Sequence, residues 1–400
     1  MRVLVISAAF PPVQAGEADH AMHLCHHLAE RGLDIHVLTT KRHGGMLGLP
    51  YKVYPIMPHW LWPDLPRLAA FLKRCSPDAI LLIYSDRDYN RHPMITFAAS
   101  ISKALLPSVP FVTQFETEHI AWQVSLPTKA MLKGMARLAG PQHLDHVMGT
   151  LLLKSDRIIV LSEHHLATLS IGAYNVADKS VVIPPPPIMH ICPENNGLSR
   201  KQGRAALGVE PSDFLIAYYG YIYEEKGVDI LLQSVKTLQT KRHNTRLVMI
   251  GGQSGATHSS CYLNGLHKLA GQLGIANKII WTGAYASNSY EPSLYLHAAD
   301  VGVFPFNYGV TLNRSSVAAA AAHALPIITT KGSTVEAPFR DLENVLLCPP
   351  RDPVSIAFAM DSLIINSELR NRLKAGALQL AQQYFSWDIA VERTVEALTV

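Results

Sequence analysis

Short apolar runs alternate with amphipathic stretches in the first half of the chain. The run Arg2–Ser7 is apolar over VLVI, and a pattern with helical spacing follows Gly16 and closes at Gly32. Further apolar runs occur at 35–39, 79–84, 110–114, 157–161 and 181–183, with helical patterns near 65–74, 93–105 and 128–154. Because strands buried on both faces read as unbroken apolar runs, the alternation predicts a mostly parallel, doubly wound sheet.

A second alternation follows the four prolines at 184–187 and a polar stretch at 195–199, which we interpret as the link between two domains. Strands are predicted at 214–219, 246–250, 278–282, 300–304 and 327–329, with helices between them, and the end of the chain is helical with a break near 384–387. We therefore predict an N-terminal domain of residues 1–187 and a C-terminal domain of 188–384. The helix at about 385–400 would cross back to the first domain.

Glycines stand at the ends of the strands predicted in the second half. They are Gly220, Gly251, Gly252, Gly283 and Gly309. Since the carboxyl ends of parallel strands meet at one edge, where open α/β sheets bind ligands, these glycines predict a binding site along that edge.

Two stretches have the pattern of an anion site. One is a strand, a turn containing Lys226 and a helix; the other is a helix of small residues whose first turn contains Arg314, Ser315 and Ser316 after Asn313. Helix-start N–H groups and nearby cations favour a phosphate. An ordinary strand-to-helix turn is the alternative for the Lys226 stretch and for the weaker glycine loop at Gly16. Tight helix packing is the alternative for the small-residue helix, and it is compatible with a phosphate site.

Two further features come from the first half. Glu116 and His119 follow the strand predicted at 110–114, where they are either site residues or ordinary loop residues. The segment 129–137, KAMLKGMAR, mixes cations with methionine and leucine, so it is either a contact for an anionic membrane surface or an exposed helix.

Composition narrows the class of protein. The 400 residues are 48% hydrophobic with a net charge of +4, which argues against nucleic acid as a partner and suits anionic ligands. Five scattered cysteines without a CxxC pair predict free thiols in a reducing compartment. The N-terminus lacks the pattern of a signal peptide, and no window approaches the roughly 18 apolar residues of a membrane span, so we expect a cytoplasmic protein. The histidine pairs at 26–27 and 164–165 do not form a metal motif, and no metal is predicted.

The order and spacing of several blocks resemble the family 4 glycosyltransferases, which are retaining enzymes. The resemblance covers nearly the whole chain and includes GYIYEEKGVDILLQSV, LVMIGG, IIWTGAY, LHAADVGVFPF and ENVLLCPPRDP. It implies an α/β fold of the GT-B type, with two Rossmann-like doubly wound domains facing across a cleft. The N-terminal domain would bind the acceptor, and the C-terminal domain a nucleotide-diphosphate sugar.

The resemblance also assigns donor-site residues. Gly16 corresponds to the glycine-loop residue near the donor phosphates, and Lys226 to the lysine that pairs with the diphosphate. Gly220 stands where the family has a glycine, but Tyr221 replaces the arginine that usually follows. The nucleobase is expected near 283–285, which includes Tyr285.

Other family positions differ in this chain. The family's two glutamates would fall at Thr311 and Ala319, so the loop GVTLNRSS resembles a variant branch in which backbone amides and an arginine follow the glycine. The histidine often found at the end of the strand in FVTQFE aligns with Phe115, so Glu116 or His119 would have to replace it.

The resemblance implies transfer of a sugar from a nucleotide-diphosphate donor to a lipid, glycan or small-molecule acceptor, with retention of anomeric configuration. Neither a metal nor another cofactor is expected, because Lys226, Arg314 and helix-start amides would stabilise the leaving group. The missing family residues leave two alternatives open. One is a donor-binding or assembly subunit without catalysis, and the other is a nucleotide-sugar epimerase.

Overall fold

A computed structural model describes residues 1–42, 48–117, 126–139, 148–170, 176–241, 244–253, 259–286 and 289–399. The chain forms two compact units. Unit 1 consists of Met1–Pro184 and Trp387–Val400, and unit 2 is Pro185–Ser386. The boundary therefore lies inside the proline run.

Unit 1 contains a parallel sheet of seven strands in the order β3-β2-β1-β4-β5-β6-β7. The strands are β1 (Arg2–Ser7), β2 (Asp34–Thr40), β3 (Lys52–Met57), β4 (Ala79–Tyr84), β5 (Phe111–Phe115), β6 (Arg157–Val160) and β7 (Ser180–Val182). The apolar pattern predicted all of these except β3. That strand contains Pro55, which cannot donate to a neighbour, and it accordingly lies at the edge of the sheet.

Helices cover both faces of this sheet. They are α1 (Gly16–Glu30), α2 (Leu65–Cys75), α3 (Ala98–Leu105), α4 (Leu126–Ala139), α5 (Leu151–Lys154), α6 (Glu163–Leu169) and the last helix of the chain, α14 (Trp387–Leu398). Along β1, Val3 and Val5 pack in one core with α1 and α14, whereas Leu4 and Ile6 pack in another with α2. The helical stretch predicted at 128–154 divides into α4 and α5, and residues 140–147 lie outside the described part of the chain.

Unit 2 contains a parallel sheet of six strands in the order β10-β9-β8-β11-β12-β13. The strands are β8 (Phe214–Tyr219), β9 (Thr245–Ile250), β10 (Ile279–Gly283), β11 (Val301–Phe304), β12 (Ile327–Thr330) and β13 (Leu346–Cys348). The helices are α7 (Leu198–Leu207), α8 (Val228–Gln239), α9 (Ser259–Gln272), α10 (Glu291–Ala298), α11 (Ser315–Ala322), α12 (Pro353–Ile365) and α13 (Ser367–Tyr384).

The polar stretch predicted as a link is partly helical. α7 begins at Leu198, and Ser199 is buried with its hydroxyl donating to the carbonyl of Pro193. A Cβ at Gly203 would lie 2.2 Å from the carbonyl oxygen of Leu294, so α7 packs directly on the backbone of α10. Because α7 has few apolar residues, its contact with α10 is not evident from hydrophobic spacing.

Each of the five cysteines lies in the described part of the chain and is a free thiol. None of the described helices combines the length and apolar character needed to cross a membrane.

A polar cluster holds the C-terminal end of α11. His323 donates from Nδ1 to the carbonyl of Ala319 at 2.7 Å, so its Nε2 accepts a hydrogen bond from Ser293 Oγ at 2.7 Å. The amide of Cys192 donates to the same hydroxyl at 3.0 Å. Burial, opposed by the Ala319 carbonyl and aided by the charge of nearby His297, lowers the pKa of His323 to about 4. His323 is therefore a neutral imidazole at pH 7.

Stability is expected to fall as the pH drops from about 6.5 toward 4, because the unfolded chain then binds a proton that His323 in the folded protein does not. The stabilisation is complete above pH 6.5, and its loss amounts to at most about 3 kcal/mol. The free energy of unfolding, measured by urea titration at several pH values, should depend less steeply on pH in a His323→Gln variant. Equal slopes in the variant and the wild type would contradict this assignment.

Candidate functional site

Three neighbouring strand ends of unit 2 meet in a run of glycines. Gly220 follows β8, Gly251 and Gly252 follow β9, and Gly283 ends β10, so they lie side by side at the carboxyl edge as predicted. A backbone bridge joins Gly251 to Gly283. A Cβ at Gly251, where φ is +118°, would lie 2.6 Å from the carbonyl oxygen of Gly220. The strand ends therefore approach too closely for a side chain at this position.

Lys226 lies in the turn between β8 and α8. Its Nζ is 5.0 Å from the ring centroid of Phe306 and 5.2 Å from that of Tyr223. The turn is fastened to the loop after β11, because Asn307 Nδ2 donates to the carbonyl of Glu224 at 2.8 Å. Gly227 allows this approach, since a Cβ there would lie 2.1 Å from the carbonyl oxygen of Pro305. The ammonium is thus held against an aromatic wall.

Arg314 faces the same aromatic ring from the start of α11. Its Cζ lies 4.8 Å from the ring centroid of Phe306. Because the Lys226 ammonium lies 5.0 Å from the same centroid, the distance between the two cations cannot exceed the sum of these two distances. Arg314 Nε is buried and has no hydrogen-bond partner among the described residues. A buried donor without an acceptor costs about 1–3 kcal/mol, which an anionic ligand oxygen would recover.

The first turn of α11 adjoins both the cation pair and the glycine edge. Ser316 is buried, and its Oγ likewise has no acceptor or donor within the described part of the chain. A Cβ at Gly220 would be 3.6 Å from Ser316 Cβ, which places the helix start beside the end of β8. The first N–H groups of a helix have no intrahelical acceptor and favour an anion.

The loop before α11 is held by Glu336, which sequence reasoning did not identify, and by Thr311 and Asn313, which it did. Glu336 is buried and accepts a hydrogen bond from the amide of Leu312. Thr311 Oγ1 donates to Asn313 Oδ1 at 2.5 Å, and the carbonyl of Arg314 accepts from the amide of Val317 at 2.9 Å. These contacts orient the backbone that carries Arg314. Hydrophobic spacing contains no signal for them, because they join residues of irregular loops.

A cavity of about 220 Å³ lies beside Tyr285, next to the glycine edge. Thr282 and Ala284 line it from β10 and the following loop, and Glu291 and Tyr295 line it from α10. The ring of Tyr285 lies parallel to that of Tyr219, with centroids 6.4 Å apart. The carbonyl of Tyr221 accepts a hydrogen bond from the hydroxyl of Tyr218 at 3.0 Å, which positions the backbone at the place of the family's arginine.

In unit 1, Glu116 directly follows β5 and is held by two side chains. His20 Nδ1 lies 3.0 and 3.2 Å from its two carboxylate oxygens, and Gln114 Nε2 donates to it at 2.7 Å. Burial alone would raise the pKa of Glu116, but the charge and hydrogen bond of His20, together with Gln114, outweigh burial and lower it. Glu116 is therefore a buried carboxylate at neutral pH.

His20 and Asp88 were not identified from the sequence. His20 lies on the buried face of α1 beside Ala18 and Ala21, and a polar residue on an apolar face was the available signal. The pKa of Asp88 is raised well above its usual value by burial and by the charges of Glu17 and Glu116.

Gly16 begins α1, and a Cβ there would meet nothing within 4 Å, so packing does not require a glycine. His119 falls outside the described residues. The histidines at 26 and 27 both contact Glu30, at 3.4 and 2.9 Å, on the exposed side of α1. In the described part of the chain, no three His, Cys, Asp or Glu side chains stand together as a potential metal site.

Comparison with known proteins agrees with this architecture. Over its full length the chain superimposes on the Anabaena protein HepE in complex with UDP and glucose, with a TM-score of 0.73, 16% sequence identity and 99% of that chain covered. It also superimposes on WaaG, a glycosyltransferase involved in lipopolysaccharide biosynthesis, with a TM-score of 0.67, 18% identity and 99% of each chain covered. Two parallel-sheet α/β units with these likenesses define a GT-B protein, which confirms the predicted fold class.

Sequence similarity points to a narrower group of proteins than the fold does. Residues 199–379 match the sequence model of the family described as Glycosyl transferases group 1. D-inositol 3-phosphate glycosyltransferase of Thermomonospora curvata is 27% identical over 69% of this chain and 65% of its own length. The enzyme of the same name from Streptomyces bingchenggensis is 28% identical over 69% of this chain and 61% of its own length. The chain thus spans less than two thirds of these relatives. The resemblance to the family 4 glycosyltransferases is confirmed.

Proposed function

We propose that the protein transfers a hexose from a nucleotide-diphosphate donor to a lipid, glycan or small-molecule acceptor, with retention of anomeric configuration. Unit 2 would bind the donor along the glycine edge, at Gly220, Gly251, Gly252 and Gly283. The observation that carries the proposal is the buried Nε of Arg314, which has no acceptor in the described structure and lies near the Lys226 ammonium.

The diphosphate would lie between Lys226, Arg314 and the first turn of α11, where Asn313, Ser315 and Ser316 are donor-binding residues. Cleavage of the bond between the sugar and the diphosphate leaves negative charge on the departing oxygen. Two cations and helix-start amides aimed at that oxygen stabilise the charge as it develops. This arrangement would need neither a metal nor another cofactor. Thr311 is also a donor-binding residue of the proposal, and its hydroxyl donates to Asn313 within the loop.

The nucleobase would lie beside the cavity next to Tyr285. UDP is the first nucleotide to test, because the HepE structure that this fold resembles contains UDP. A thermal-shift series with UDP, GDP, ADP and their sugars should raise the unfolding temperature for one nucleotide above the others. Absence of a shift with all of them would contradict donor binding.

Glu116 is the catalytic candidate of unit 1, where the acceptor would bind, and His119 is the second candidate. With its pKa lowered, the Glu116 carboxylate stays ionised at neutral pH and can accept a proton or hydrogen bond from an acceptor hydroxyl. His20 acts on it as a positioning residue through the 3.0 Å contact.

Replacement of His20 by asparagine is expected to raise the pKa of Glu116, because burial is then opposed only by the weaker remaining contacts. The acidic limb of the pH profile of kcat should move to higher pH, while KM for the donor stays unchanged. Carboxyl carbon NMR of the variant measures the same pKa directly. A profile identical to that of the wild type would exclude Glu116 as the titrating group.

A donor-binding subunit without catalysis is the second candidate. Tyr221, Thr311 and Ala319 occupy positions where the family has an arginine and two glutamates, which favours it. Incubation with a nucleotide sugar in the absence of acceptor separates the two, since a transferase slowly hydrolyses the donor and a binding subunit does not. NMR of the anomeric proton of the transfer product tests retention.

We further propose a cytoplasmic location with peripheral contact at the inner face of the membrane. Support comes from the free thiols and from the cations on the surface of α4.

A further inference from the structure

α4 carries an exposed apolar stripe. Met131, Met135 and Leu138 recur at i, i+4 and i+7, which places them on one face of the helix, and they are 52%, 44% and 91% exposed. Leu132, in contrast, is buried. We call the three exposed residues the apolar stripe.

The same helix carries a basic stripe, formed by Lys129, Lys133 and Arg137 at i, i+4 and i+8. All three are exposed, and α4 contains no acidic residue. Lys129 and Lys133 each precede a methionine of the apolar stripe by two residues, or about 200° around the helix. The two stripes therefore occupy different sides of an exposed helix, one apolar and one uniformly cationic.

Helix α12 of unit 2 shows that exposed apolar residues alone do not distinguish α4. Phe358 and Ile365 are 72% and 66% exposed, and Val354 is exposed beside them. This helix contains no lysine or arginine and has one acidic residue, Asp361. The combination with a basic stripe is what separates α4 from α12, and it gives α4 charge complementarity to an anionic surface.

We propose that α4 docks unit 1 onto an anionic phospholipid bilayer. The apolar stripe enters the boundary between head groups and acyl chains, and the basic stripe contacts anionic head groups, as in helices that lie in the membrane interface. The inference rests on the proposed function, which includes peripheral contact with a membrane. It deepens that proposal by assigning the membrane contact to one helix. Vesicle binding needs no sugar donor, so either idea can fail without the other.

The test is co-sedimentation of the full chain with phosphatidylcholine vesicles that contain or lack phosphatidylglycerol. The wild type should bind the anionic vesicles, and binding should weaken as salt is added, because salt screens the basic stripe. Failure to bind anionic vesicles, or equal binding to neutral ones, would overturn the proposal.

Three variants assign the binding to α4. Changing all three residues of the basic stripe to glutamine should weaken binding on the order of 100-fold, and changing the apolar stripe to serine should abolish co-sedimentation. The matched control Phe358→Ser with Ile365→Ser should bind like the wild type. Stripe variants that bind normally would contradict the assignment.

A second copy of the chain is the competing occupant of the apolar stripe. Sedimentation velocity without vesicles should show the same molecular mass for the wild type and the apolar-stripe variant. A wild-type dimer that the variant loses would show that the stripe is a protein interface and would overturn the proposal. The unfolding temperature of each variant should equal that of the wild type, which shows that the substitutions leave the protein folded.

Discussion

Replacing Arg314 with methionine is expected to lower kcat for sugar transfer about 100-fold, because the guanidinium is the group best placed to meet charge on the leaving diphosphate. Its Nε is buried without a described partner, and its Cζ lies 4.8 Å from the ring of Phe306. Methionine keeps a flexible stem against that ring but cannot donate. Steady-state kinetics at saturating donor measure the loss, and the thermal shift produced by the nucleotide diphosphate should shrink in parallel.

Stability distinguishes this role from a structural one. An arginine that served folding would lower the unfolding temperature when removed, whereas loss of a buried donor without an acceptor should leave the ligand-free protein about as stable as before. Arg340 is the matched control, since it is exposed and pairs with Glu343 at 3.0 Å. An Arg340→Met variant should retain full activity. Loss of activity in both variants would argue against a specific role for Arg314.

Loss of the Lys226 ammonium is the second large effect we expect. A Lys226→Met variant should lose at least about tenfold in kcat/KM, corresponding to about 1.4 kcal/mol or more of transition-state stabilisation. The ammonium lies 5.0 Å from the Phe306 ring, beside the start of α11, and methionine preserves the packing of the stem. Kinetics with varied donor concentration measure this loss. Undiminished transfer would exclude Lys226 from the site.

The double variant tests whether the two cations act on one ligand. If Lys226 and Arg314 both contact the diphosphate, the combined loss should be smaller than the product of the two single losses. The control is Lys236, an exposed lysine in the last turn of α8, the helix that follows the Lys226 turn. A Lys236→Met change should leave kcat/KM unaltered and should combine with Arg314→Met without coupling.

Most of the fold could be predicted because its signals are local. Strands such as β4 and β8 are buried on both faces, so their apolar runs are visible without knowledge of their neighbours. Several elements were not predicted, and two of them have identifiable reasons. β3 contains a proline and lies at an edge, and α7 gains its burial from close contact with the backbone of α10 rather than from an apolar face.

The candidate site was predicted less completely. Glycines at strand ends and the small residues of α11 are visible in the sequence itself. Gly220 and Ser316 could therefore be named as site residues before their contact was known. His20 and Glu336 could not, since each acts through a residue far away in the chain. The distance between His20 and Glu116 depends on how α1 packs against the end of β5.

The linear chain thus specifies two parallel α/β units, the glycine edge and the cations Lys226 and Arg314, because each follows from residue type and short-range spacing. Folding in three dimensions sets the partners of those residues: the Phe306 ring shared by both cations, and the His20 contact that keeps Glu116 ionised. Two of these contacts, Lys226 with Phe306 and His20 with Glu116, join residues that are 80 or more positions apart in the chain. Local periodicity carries no information about separations of that size, because it reports only which face of an element is buried.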